Sequence, residues 1–72
     1  MTTPTIGRIV QYVTYEGAVL PAIITRVVQD DSVNLQVFID GTLGTEHHVS
    51  VPYGEPNDGY PRCTWHWPEV AR

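Results

Sequence analysis

Between Val33 and Ile39 the chain alternates strictly: Val33, Leu35, Val37 and Ile39 are separated by Asn34, Gln36 and Phe38. Successive side chains of a strand point to opposite faces, so this period-two pattern describes a strand buried on one side. Asp40-Gly41 follows directly, a dipeptide that suits the tight turn of a hairpin. The rest of the sequence agrees with this reading. No window carries the i, i+3, i+4, i+7 apolar spacing of an amphipathic helix, and six glycines and six prolines interrupt nearly every long stretch.

Four further strands are expected. Ile6 to Thr14 is rich in β-branched and aromatic residues and runs into a turn at Tyr15-Glu16-Gly17. Pro21 to Gln29 contains Ile23, Ile24, Val27 and Val28 and is closed by Asp30-Asp31-Ser32. Thr45 to Val51 places His47, Val49 and Val51 on one face, with Glu46, His48 and Ser50 on the other, until Pro52 ends the ladder. Tyr53 to Pro61 reads as a surface loop rich in Gly, Pro, Asn and Asp. A last short strand then carries Trp65 and Trp67 on one face and Thr64 and His66 on the other, stopped by Pro68.

Five short strands joined by turns make an all-β chain, expected as a small SH3-like barrel or a strongly curled meander. A flat sheet of this length leaves one face wet and two edges open. Residues 1–72 form one domain, with 1–5 as a flexible N-terminus. Strict alternation puts Ile24 and Val28 on one face of the second strand and Ile23 and Val27 on the other, and turns Phe38 away from its own core face. These second apolar faces call for cover, and a homo-oligomer, dimer or higher, supplies it. The alternative is a central strand covered by loops.

Charge and cysteine usage narrow the function. The formal charge is −4, and all four basic side chains are arginines. Duplex nucleic acid, which needs several phosphates neutralised, is disfavoured. A small anionic ligand is not, because arginine makes planar, bidentate phosphate contacts. Cys63 is the single cysteine, so no disulfide forms within one chain, which fits a reducing compartment. No apolar run approaches the ~20 residues of a membrane span, and no charged-then-apolar leader is present. A soluble, cytosolic protein is expected.

Catalytic and metal constellations are weak. His47-His48, His66 and Cys63 invite a metal, but adjacent histidines on a strand point to opposite faces, and no ligand spacing of a zinc site is present. Cys63 as a nucleophile needs a base and a lowered thiol pKa; His48 and His66 are conceivable bases, with no orienting motif. No phosphate-binding glycine loop precedes a helix. Neither enzyme activity, nor a metal, nor a cofactor is expected. The binding inventory is richer: Tyr12, Tyr15, Tyr53, Tyr60, Trp65 and Trp67 are plates for stacking, about 1–3 kcal/mol per base, and Asn34, Gln36 and Asn57 are candidate readers of base edges. Arg8, Arg26 and Arg62 are candidate phosphate contacts, and His66 lies between the tryptophans. The competing reading makes the tryptophans core and the tyrosines caps of loops and interfaces.

Gly7-Arg8-Ile9-Val10-Gln11-Tyr12-Val13, Pro21-Ala22-Ile23-Ile24-Thr25-Arg26-Val27, Val33-Asn34-Leu35-Gln36-Val37-Phe38, Ser50-Val51-Pro52-Tyr53-Gly54-Glu55 and Thr64-Trp65-His66-Trp67-Pro68-Glu69 together resemble a group of short proteins encoded by bacteriophages and prophages. The likeness runs from Gly7 to Glu69, and the Trp-His-Trp-Pro-Glu ending is its most specific part. It implies a phage context, action in the host cytoplasm and no enzymatic activity. In that context the expected function is a non-catalytic binding protein that sequesters a nucleotide immune signal of the host, a sponge for a small phosphorylated ligand. The rival is an SH3-like protein-interaction or virion-associated module acting on a host protein.

Overall fold

The computed structural model describes residues 3–39, 44–55, 59 and 61–68. Five strands follow in order: β1 (Ile9–Val13), β2 (Val19–Gln29), β3 (Ser32–Phe38), β4 (Thr45–Val51) and β5 (Thr64–His66). All neighbours are antiparallel, in the spatial order β4-β3-β2-β1-β5, and the sheet curls strongly into a half-barrel. The expected all-β curled architecture is therefore present. Asp40-Gly41, Asn57 and Tyr60 lie outside the described residues.

Local chemistry makes the first two turns. In the β1–β2 turn the Thr14 N–H donates to the Ala18 carbonyl at 2.8 Å, the Gly17 N–H donates to the Thr14 carbonyl at 2.9 Å, and the Ala18 N–H donates to Thr14 Oγ1 at 3.0 Å. Gly17 has φ +95°, a conformation that a Cβ disfavours. Between β2 and β3, Gln29 pairs with Ser32, which leaves the two-residue turn Asp30-Asp31. Asp30 takes φ 43° there, a left-handed conformation that Asp tolerates better than most residues.

Irregular pairing corrects the face assignments made by strict alternation. Ile24 pairs with Leu35, but the next pair is Arg26 with Asn34, so Thr25 is an extra residue in β2. Such a bulge resets the alternation. Val27 therefore pairs with Val33 and packs against the core on the side of Ile24, while Arg26 stays exposed. A second irregularity between Val27 and Gln29 leaves Val28 exposed. In β4, His48 pairs with Leu35 and Val51 with Val33, so that Val49 and Ser50 together face Asn34. Ser50 adopts φ 51°, and its N–H donates to Asn34 Oδ1 at 3.0 Å. Val51 thus shares the concave face with Glu46 and His48, and not with His47.

The core lies on the concave face. Val10, Tyr12, Ala22, Ile24, Val33, Leu35, Val37, Val51 and Trp65 are buried together, with Leu20, Val27, Tyr53 and Trp67 packed against them. Trp65 is fully buried, and its Nε1–H donates to the Asp31 carbonyl at 2.7 Å, tying β5 to the β2–β3 turn. The chain after β4 returns to the free side of β5. The Trp65 N–H donates to the Pro52 carbonyl at 3.1 Å, the Gly54 N–H donates to the Trp65 carbonyl at 2.8 Å, and Tyr53 and Trp65 form a parallel bridge. The start of the expected surface loop is therefore packed against β5, with Gly54 buried. On the convex face Ile9 pairs with Ile23, and Ile9, Val19 and Phe38 stand exposed.

Candidate functional site

The sequence candidates divide into a packed aromatic chain and scattered arginines. Tyr53 meets Trp65 edge-on at 4.9 Å between ring centroids, and Trp65 meets Trp67 edge-on at 5.1 Å. The Arg8 guanidinium carbon lies 5.4 Å from the Trp67 ring centroid. This continuous stack brings four candidates together, but Trp65 is core and both Tyr53 and Trp67 are half-buried. Edge-to-face pairing of this kind stabilises a small core by about 0.5–1.5 kcal/mol per pair beyond area burial. Arg8 over Trp67 is a cation–π contact with the ring quadrupole.

The other candidates lie apart from that stack. Arg26 is an exposed β2 residue opposite Asn34. Arg62 is exposed, with its guanidinium against Gly17 of the β1–β2 turn: a Cβ built on Gly17 would lie 3.6 Å from Arg62 Nε. His66 pairs with Gln11 across β5 and β1, on the face opposite to Trp65. It is buried at 2% exposure, with Nε2 2.8 Å from Gln11 Oε1. Alternation turned it away from the two rings, and burial puts it away from solvent as well.

A different set of residues opens onto the concave side. A cleft of about 870 Å³ runs between the β1–β2 turn and β4. Tyr12, Tyr15, Leu20, Val49, Val51 and Pro52 give it an apolar and aromatic lining, and Glu16, Glu46, His48 and Cys63 supply its polar groups. Among the described residues no arginine lines it. The Tyr12 ring stacks on His48 with centroids 4.7 Å apart, and His48 Nε2 lies 3.1 Å from Glu46 Oε1. Burial pushes the Tyr12 phenol above its ordinary pKa, helped by its pairing with the Cys63 thiol and by the Glu46 carboxylate. Cys63 sits in a turn at φ 60°, held by donation from its N–H to the Val13 carbonyl at 2.7 Å. Among the described residues no three His, Cys, Asp or Glu side chains are placed to hold a metal.

Sequence reasoning did not find this cleft. Tyr12, His48 and Cys63 come from β1, β4 and the turn before β5, so no local motif joins them. The bulge at Val49-Ser50 further hid that His48 and Val51 share a face. Comparisons with protein-family models, with curated proteins and with solved structures gave no match.

Proposed function

We propose that this chain is a non-catalytic binding module of phage type, an SH3-like small barrel whose concave cleft takes a segment of a host protein in the host cytoplasm. One observation carries the reading: the cleft is apolar and aromatic, stands beside the end strand of the sheet, and is lined by carboxylates with no arginine among the described residues. Concave, mostly apolar surfaces with a few fixed polar groups are the usual form of a binding site. The nucleotide-sponge reading asks for arginines gathered around exposed rings. Here Arg8 lies on Trp67, Arg62 lies against Gly17, and Arg26 projects from the other side of β2, so a nucleotide pocket would need a second subunit. The exposed Ile9, Val19 and Phe38 of the convex face favour self-association there, which leaves the concave cleft open.

Selection of displayed random peptides on the immobilised protein tests the reading. Enriched peptides should lose binding to a Val49→Arg variant, a change at an exposed residue of the cleft wall. Stabilisation by a nucleotide in a thermal-shift panel, with no peptide enriched, would overturn it in favour of the sponge. Light scattering on an Ile9→Asp variant checks the convex face separately, since a mass unchanged from the parent rules out self-association through that residue.

A further inference from the structure

We infer that the occupant of the cleft is an extended segment of alternating apolar and basic residues, which adds to the β4 edge and sets a lysine or arginine against Glu46 and Glu16. The inference rests on the reading of the cleft as a protein-binding surface and gives that surface its partner chemistry. Three observations carry it.

First, β4 ends the sheet order, and among the described residues no backbone hydrogen bond joins it to any strand but β3. An end strand offers a row of backbone donors and acceptors to any extended segment, and proteins usually blunt such edges with lysine, proline or a bulge. Here the bulge sits at Val49-Ser50, and Thr45 to His48 carries neither lysine nor proline. Second, the cleft begins at that edge: Glu46, His48, Val49, Ser50, Val51 and Pro52 all line it. A strand added at β4 presents alternate side chains to the two sides of the sheet, so every second residue turns toward Tyr12, Leu20 and Val51.

Third, the charge has one sign. Glu16 and Glu46 line the cleft without a lysine or arginine among the described residues, in a chain of net charge −4. His48 holds one oxygen of Glu46, whose side chain is still 57% exposed. The nearest cation along the chain, Arg62, is turned to Gly17 and does not line the cleft. The same charge argues against a second copy at this edge. A β4 strand from another subunit would bring Glu46 and two histidines and no lysine or arginine, so it supplies no permanent cation to Glu46 and Glu16. An alternating basic and apolar segment is complementary on both counts.

Fluorescein-labelled octapeptides, read by anisotropy on the full chain, test this. Eight residues are enough to span the seven of β4. The alternating Val-Arg peptide should bind at least tenfold more tightly than the Val-Glu peptide. Methylating the backbone nitrogens of alternate residues should abolish binding in one of the two registers. Glu46→Lys should invert the preference between Arg and Glu peptides, which loss of folding cannot do. Equal affinity for the two peptides overturns the charge assignment while leaving a protein-binding cleft in place. Unchanged binding by both methylated registers overturns addition to β4. If neither octapeptide binds, the inference fails; if displayed peptides are also not enriched, the reading of the cleft fails with it. A dimer that Val49→Arg dissociates would make a second copy the occupant and would equally overturn the inference.

Discussion

Gly54→Ala is the sharpest probe of how the half-barrel is held at β5. Gly54 is buried and donates its N–H to the Trp65 carbonyl at 2.8 Å, so its Cα cannot move far without breaking the contact that follows β4. A Cβ built there collides with Thr64 Oγ1 and comes within 2.7 Å of Thr64 Cβ and 3.2 Å of Pro61 Cδ. Thr64 cannot rotate its own Cβ away, and its hydroxyl donates to the Pro61 carbonyl at 2.6 Å. The backbone itself must shift, which places the substitution toward the upper end of the ~1–3 kcal/mol range for overpacking. The loss of glycine freedom in the unfolded chain offsets roughly 0.4–1 kcal/mol of this. A net destabilisation of about 2 kcal/mol remains, or a fall in Tm of roughly 8–16 °C for a domain of this size. Urea unfolding followed by tryptophan fluorescence measures it. Thr64→Gly in the same chain moves the Cβ from one side of the contact to the other, so the double variant should recover at least about 1 kcal/mol relative to the sum of the singles. A Gly54→Ala variant within about 0.5 kcal/mol of the parent, or singles that simply add, would refute the packing of residues 52–54 on β5.

Four further perturbations separate structural from binding roles. Trp65→Phe removes the hydrogen bond to Asp31 and leaves a void in the core, so the urea midpoint should fall by an amount equivalent to roughly 2–3 kcal/mol. Trp67→Phe should be nearly neutral or stabilising by the same assay, because Trp67 Nε1 is buried with no hydrogen-bond partner among the described residues. Tyr12 has a folded pKa raised above 10.0, so the folded state keeps its proton longer than the unfolded chain does. The associated stability is present below that unfolded value and is lost as pH rises through the folded one; unfolding midpoints measured from neutral to strongly alkaline pH should fall less steeply in Tyr12→Phe. Arg8→Ala should cost under about 1 kcal/mol in urea unfolding, the usual size of an exposed cation–π contact, and should leave peptide binding in the cleft unchanged.

The strands were legible because their signals are local. Alternation in Val33–Ile39 anticipates β3 at Ser32–Phe38, and β4 occupies the expected Thr45–Val51, ended by Pro52. Turn residues likewise anticipated Asp30-Asp31 and the Tyr15–Gly17 turn. Faces were less legible, because a bulge is an outcome of pairing between two strands. Neither Thr25 nor Ser50 announces itself in sequence, yet each reverses which neighbours reach the core, Val27 in one case and Val51 in the other. The candidate site was least legible. Tryptophans drew attention as binding plates, but in so small a domain Trp65 is needed as the largest core side chain. His48 reads in sequence only as a base or metal ligand beside Cys63, and it is the curl of the sheet that carries both to Tyr12.

We propose that the functional surface is the concave cleft, while the closing aromatic strand serves mainly as core. Amide chemical-shift mapping of the labelled full chain, titrated with the Val-Arg octapeptide, tests it most directly. Shifts should concentrate at Tyr12, Glu16, Leu20 and Glu46 to Val51, with Arg8, Arg26 and Trp67 unmoved. Shifts centred on Arg8, Tyr53 and Trp67, with β4 silent, would contradict it.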